Sequence, residues 1–143
     1  MFLHDWAEDG LFAMIMDFED VYISKSEYDA SECPWRNNEM WLENKKKAKA
    51  ALDDEKYQGI EVLLASYTYE NYSGDAYVLF RKDGKLYEVN GGHCSCYGLE
   101  GQWEPEEVTI ESIKHRLEKG SLGNCAYDGN HFADELKQII NSL

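Results

Sequence analysis

The sequence predicts an α+β fold, in which an antiparallel sheet of three or four strands forms a meander and helices pack on one face. The middle of the chain is rich in β-branched and aromatic residues, and apolar residues recur at helical spacing before and after it. A length of 143 residues suits a single compact domain, residues 1–143, and 43% hydrophobic residues suffice for a core.

The first third of the chain is predicted to form one strand and then one helix. The apolar run Leu11–Phe18 fits a buried strand or a short helix, and the alternating polar and apolar residues after it favour a strand from about Ala13 to Ser24. After it, Asn37 or Asn38 can cap a helix that ends before Gly59. The apolar residues of that helix are Met40, Trp41, Ala48, Ala51 and Leu52.

Three consecutive strands are predicted in the centre. The runs Ile60–Tyr69 and Ala76–Arg81 carry β-branched and aromatic side chains, and a polar loop separates them. The pair Asp83-Gly84 then joins the second run to Lys85–Asn90, which is the strongest short-range signal for a hairpin. These strands are therefore expected to pair antiparallel.

Two helices are predicted near the end of the chain. Thr109 can cap a helix over Ile110–Lys119, and Gly120 stops it. A last helix is expected to begin at Asn130. Its apolar side would consist of Phe132, Leu136, Ile139 and Ile140.

The chain is strongly acidic, with 28 Asp and Glu against 14 Lys and Arg and a net charge of -14. Binding to phosphates requires clustered Lys and Arg, so direct nucleic-acid binding is disfavoured. The carboxylates instead favour a basic protein partner, with an exposed aromatic residue as anchor. The candidate partner-binding residues are Asp5, Glu8, Asp9, Asp17, Glu19, Asp20, Glu100, Trp103, Glu104, Glu106 and Glu107.

Glu106 and Glu107 have a second interpretation. They precede the helix predicted from Ile110, and negative charge is favoured near the start of a helix. A purely structural role for these two residues therefore stays open.

The segment Gly91-Gly92-His93-Cys94-Ser95-Cys96 places two thiols and an imidazole between glycines, directly after a predicted strand. Zinc prefers four such ligands, and His93, Cys94 and Cys96 with Cys125 would supply them; His131 is an alternative fourth ligand. Structural zinc sites usually have two to four residues between paired cysteines, whereas Cys94 and Cys96 have one. A tight loop with cysteines packed beneath it is therefore favoured, and no cofactor is expected unless zinc binds.

A cysteine-dependent enzyme is a further alternative, in which His93 would stabilise one thiolate. Neighbouring Glu88 and Glu100 would raise the pKa of such a thiol and oppose its activation. No catalytic residue is assigned, and binding is favoured over catalysis.

The amino-terminal residues lack the basic start and the apolar region of a signal peptide, and no apolar run is long enough to span a membrane. A cytoplasmic protein without membrane contact is expected. In the reducing cytosol the four cysteines would be free thiols or metal ligands. The sequence leaves the oligomeric state open.

The run GKLYEVNGGHCSCYGLE (residues 84–100), continued by QWEPEE (residues 102–107), resembles a segment of small uncharacterised proteins of bacteriophages and prophages. The resemblance implies a bacterial host cytoplasm. It also implies a stoichiometric inhibitor of host defence, similar to anti-CRISPR or antirestriction proteins, that mimics DNA and occupies a basic groove. It carries over no site residue. A zinc-stabilised interaction domain and a cysteine-dependent enzyme are the alternatives.

Overall fold

The structure is a computed structural model that describes residues 1–68, 73–94, 98–120, 122, 124–125, 129–130 and 132–143. Its strands are β1 (Phe2–His4), β2 (Glu61–Tyr67), β3 (Ser73–Lys82), β4 (Lys85–Cys94), β5 (Glu106–Val108), β6 (Asn124–Cys125) and β7 (Gly129–Asn130). Its helices are α1 (Leu11–Phe18), α2 (Lys25–Asp29), α3 (Asn38–Leu52), α4 (Ile110–Glu118) and α5 (Ala133–Ser142), with a 3₁₀ turn at Glu55–Tyr57.

The fold is α+β, as predicted, but its main sheet is mixed and has five strands in the order β1-β2-β3-β4-β5. The first strand runs parallel to β2, and all other neighbours pair antiparallel. The prediction of a purely antiparallel sheet of three or four strands was therefore inexact. It missed β1 and β5, which are three residues each and pair with segments distant in sequence. The short strands β6 and β7 form a separate pair.

Helices cover both faces of the sheet, which corrects the prediction that they pack on one face. Ala65, Val78 and Phe80 belong to a core cluster with α1 and α3. Leu64 and Leu79 belong to a second cluster with α4 and α5. Successive residues of a strand point to opposite faces, so a strand that is apolar throughout needs cover on both sides.

The elements with strong local signals form where they were predicted. The side chain of Asn37 caps α3 by accepting the Met40 amide at 3.0 Å, and Thr109 caps α4 in the same way. Asp83 and Gly84 form the hairpin turn with φ values of 54° and 78°. Positive φ at both positions is the geometry that an Asp-Gly pair favours.

The strand predicted from Ala13 to Ser24 was wrong. Leu11–Phe18 forms α1, and a loop then leads to α2 at Lys25. The last helix also begins later than expected, at Ala133, because Asn130 belongs to β7. Five of the eight side chains of α1 are buried, so the helix is enclosed by the core and shows no polar stripe.

Candidate functional site

The structure ties Asp17 to the core. Its Oδ2 accepts a 2.6 Å hydrogen bond from the indole nitrogen of Trp6, a side chain with no exposed surface. A buried indole N–H needs such a partner. Asp17 therefore stabilises the packing of Trp6 against α1.

Glu19 and Asp9 also bind groups of the protein itself. The carboxylate of Glu19 accepts a 2.7 Å hydrogen bond from the Tyr57 hydroxyl and lies 2.5 Å from the Lys56 ammonium. Burial, together with Glu19, raises the pKa of Tyr57 well above its usual value. Asp9 accepts the backbone amide of Lys25 at 3.3 Å. Of the six acidic candidates in the first twenty residues, Asp5, Glu8 and Asp20 are exposed.

The side chain of Tyr22 is 77% exposed and lies in the electric field of both acidic segments of the sequence. Hydrogen bonding with Asp20 and the negative charge of that residue raise the pKa of the Tyr22 hydroxyl. The charges of Glu100 and Asp17 raise this pKa further. Glu100 thus acts on a residue that is far from it in sequence. We call Tyr22 with Asp17, Asp20 and Glu100 the Tyr22 face.

A shallow groove continues the Tyr22 face towards α3. It has a volume of about 380 Å³, and Glu19, Asp20 and Asp54 contribute carboxylates to its wall. Lys47 contributes a positive charge but lies 3.5 Å from Glu43 on its own helix. Lys56 pairs with Glu19 and Asp54, so four carboxylates, including that of Glu43, lie beside two lysines in this part of the surface.

Trp103 is half-buried and packs against three rings. Its centroid lies 5.0 Å from those of Phe18 and Tyr57 and 5.5 Å from that of Phe80. Much of the Trp103 ring is thus in contact with other rings of the protein. Tyr22, which the sequence did not single out, exposes more of its ring to a partner.

The remaining carboxylates of the second acidic segment are exposed. Glu104 lies in a loop, and Glu106 and Glu107 lie in β5, opposite Glu88 and Tyr87 of β4. The second interpretation of Glu106 and Glu107, near the start of a helix, stays open, since both residues lie just before Thr109, the N-cap of α4. They occupy an edge strand, where exposed charge disfavours pairing with another chain.

Gly91 and Gly92, which were expected to begin a tight loop, lie in β4, and Gln102 and Leu99 contact them there. The Gln102 side chain accepts the Gly92 amide and donates to the Gly92 carbonyl, both at 2.8 Å, as a neighbouring strand would. Leu99 is 1% exposed, and a Cβ on Gly91 would lie 3.1 Å from its Cδ2. Close packing therefore explains the glycine at position 91.

The proposed zinc site lies outside the described side chains. His93 and Cys94 are described only as backbone of β4, Cys125 only as backbone of β6, and Cys96 and His131 lie outside the described residues. Within the described part of the chain, no group of three metal-binding side chains comes together. The zinc hypothesis stays a prediction.

Sequence reasoning missed a buried ionic cluster between β4 and α4. Glu88 is 5% exposed and receives two hydrogen bonds from the Arg116 guanidinium, at 3.0 and 2.8 Å. The buried Tyr77 hydroxyl donates to the same carboxylate at 3.0 Å. Arg116 falls on the helix face of Ile113 and Leu117, and this position was the available signal.

No family model, curated protein or solved structure matches this chain. Among the helices of the described residues, none has the length and apolar character to cross a membrane.

Proposed function

We propose that this protein binds a basic, nucleic-acid-handling surface of a host defence protein through the Tyr22 face and inhibits it stoichiometrically. The observation that carries the proposal is a tyrosine, 77% exposed, on which carboxylates of both acidic segments act electrostatically. Carboxylates attract Lys and Arg that otherwise contact phosphates, and a tyrosine can anchor such an interface.

The charge of the whole chain supports the same proposal. A net charge of -14 accelerates the encounter with a positively charged partner and repels nucleic acid itself. The exposed residues Asp5, Glu8, Glu104, Glu106 and Glu107 add to this field. In this proposal the protein replaces nucleic acid on its partner, in the cytoplasm of a bacterial host.

The first experiment is capture from a bacterial lysate at low and moderate salt. We expect a nuclease or another nucleic-acid effector to bind at low salt, to be released by added salt, and to lose activity at a one-to-one ratio. Failure to retain any protein at either salt concentration would contradict the proposal.

The second experiment removes two of the three negative charges of the Tyr22 face. Asp20→Asn suits the φ of 56° at this position, and Glu100→Gln keeps the acceptor for the Gly98 amide. We expect this double variant to bind its partner at least about tenfold more weakly, which corresponds to about 1.4 kcal/mol.

The matched control is Glu111→Gln with Glu118→Gln, which changes the net charge by the same amount. Both residues are exposed, at opposite ends of α4, which packs on the other face of the sheet. Their effects on the helix dipole oppose each other. Equal weakening by the two double variants would show that only net charge matters and would exclude the Tyr22 face as the interface.

A further inference from the structure

A groove of about 470 Å³ opens beside the β3–β4 hairpin. None of its described lining residues belongs to the Tyr22 face. Its wall carries three aromatic rings and three charged side chains. We call it the aromatic groove. Its rings are those of Phe80, Tyr87 and Trp103, and its charged side chains are Lys56, Lys82 and Asp83. Its volume falls in the range of small-molecule sites, about 300–1,000 Å³.

The rings of the groove are held in nearly parallel planes. Phe80 and Tyr87 are cross-strand partners whose planes differ by 21°, and the planes of Phe80 and Trp103 differ by 12°. Phe80 is 3% exposed, so Tyr87 and Trp103, which are half-buried, provide the accessible ring surface. Because packing fixes these rings in advance, a planar ligand would lose little affinity to ordering them.

The two lysines of the groove differ in their partners. Lys56 lies 2.5 Å from Glu19 and 4.0 Å from Asp54, so its charge is neutralised within the protein. Lys82 is half-buried, and none of the ion pairs among the described residues includes it. Its ammonium is therefore the available partner for an anion.

We propose that the aromatic groove binds a mononucleotide, with the base stacked on Trp103 or Tyr87 and the phosphate paired with Lys82. Stacking on an aromatic side chain tolerates any base, and a lysine binds phosphate as a point charge. A net charge of -14 repels a polynucleotide far more than a ligand with one phosphate group. The groove thus takes a single nucleotide and not a strand.

The test is a titration with adenosine monophosphate, followed through the tryptophan indole signals in NMR spectra. The chain has four tryptophans, and a Trp103→Phe variant identifies the signal of Trp103. We expect a saturable shift of that signal with adenosine monophosphate. Adenosine alone and inorganic phosphate alone should each bind at least about tenfold more weakly, since each lacks one of the two contacts.

Three single-charge variants locate the phosphate. We expect Lys82→Gln to weaken binding about tenfold, the value of one charge-assisted hydrogen bond. Lys85→Gln is the control, since Lys85 is exposed, faces Lys82 across the hairpin end and does not line the groove. Asp83→Asn removes a negative charge from the groove at a turn position that Asn tolerates, and it should strengthen binding.

Three results would overturn the proposal. The first is the absence of a saturable Trp103 shift up to about 20 mM ligand, which is too weak for a specific site of this size. The second is equal binding by Lys82→Gln and Lys85→Gln. The third is tighter binding of a single-stranded oligonucleotide than of the mononucleotide.

Discussion

The Gln102 side chain makes hydrogen bonds to the backbone of β4 that a neighbouring strand would otherwise make. The neighbouring strand β5 pairs only with Leu86, Tyr87 and Glu88, so the edge of β4 at Gly92 lies beyond it. The Gln102 amide satisfies both polar groups of Gly92 and also donates to the Gly98 carbonyl at 2.8 Å. One side chain thus connects Gly92 in β4 to Gly98.

Gln102→Ala should lower the free energy of unfolding by about 1–3 kcal/mol, because the amide and carbonyl of Gly92 lose their partner while partly buried. Urea denaturation measures this value. The matched control is Gln58→Ala, which removes one exposed hydrogen bond to the Leu52 carbonyl and should cost less than about 0.5 kcal/mol. Equal losses in the two variants would contradict the role of Gln102.

Two buried tyrosines make the fold sensitive to alkali. Burial first, and neighbouring carboxylates next, raise the pKa of Tyr57 and of Tyr77 well above the usual value of 10.0. Above about pH 10 the unfolded chain releases the phenolic protons that the folded chain retains. The contribution to stability is therefore fully present below that pH and is lost as the pH rises.

We expect the free energy of unfolding to fall by up to about 1.4 kcal/mol per pH unit for each of these tyrosines above pH 10. The combined variant Tyr57→Phe and Tyr77→Phe lacks both phenols, so its stability should fall less steeply. Urea denaturation between about pH 8 and 11 compares the slopes. Parallel slopes for variant and wild type would refute this assignment.

At the scale of elements, the sequence predicted best what local chemistry decides. The caps of α3 and α4 and the Asp83-Gly84 turn each depend on a few adjacent residues. The prediction for Leu11–Phe18 failed because a run that is apolar throughout shows neither the periodicity of a helix nor that of a strand. The strands β1 and β5 could not be found, since each is stabilised only by a distant partner.

The same limit applies to the candidate site. The sequence identified the acidic segments, but the electrostatic effect of Glu100 on Tyr22 depends on tertiary packing. The bond between Asp17 and Trp6 likewise joins two residues whose side chains are brought together only once α1 forms. Sequence patterns therefore identified the charges and could not separate exposed carboxylates from those with a structural partner.

The Arg116–Glu88 pair connects α4 to the sheet and permits a test of that connection. Arg116→Met should destabilise the protein by about 3–5 kcal/mol, because it leaves the buried carboxylate of Glu88 without its cation. Combining it with Glu88→Gln should recover most of that loss, since a neutral amide replaces the buried charge and its oxygen still accepts the Tyr77 hydroxyl. Thermal and urea denaturation give both values.

Additive losses in the double variant would contradict this interpretation. The comparison is Arg81→Met, which breaks an exposed pair with Glu61 at 2.8 Å and should cost no more than about 1 kcal/mol. The difference between the two arginines would then report burial and not the length of the ion pair, because both lie 2.8 Å from their carboxylates.

For the whole molecule, the net charge of -14 has opposite consequences for folding and for binding. An excess of carboxylates produces mutual repulsion, which destabilises the compact state. The same carboxylates accelerate the encounter with a basic partner. Dissolved salt screens both interactions over a Debye length of about 10 Å at 0.1 M.

Added sodium chloride should therefore raise the melting temperature of the isolated protein while it slows association with the partner. The double variant Asp20→Asn with Glu100→Gln removes part of the repulsion, so it should melt higher than the wild type at low salt and respond less to added salt. Calorimetry between about 20 and 500 mM salt measures both slopes. A melting temperature that falls with salt would mean that the ion pairs within the protein outweigh the repulsion between carboxylates. Binding of a basic partner would then not stabilise the protein by relieving that repulsion.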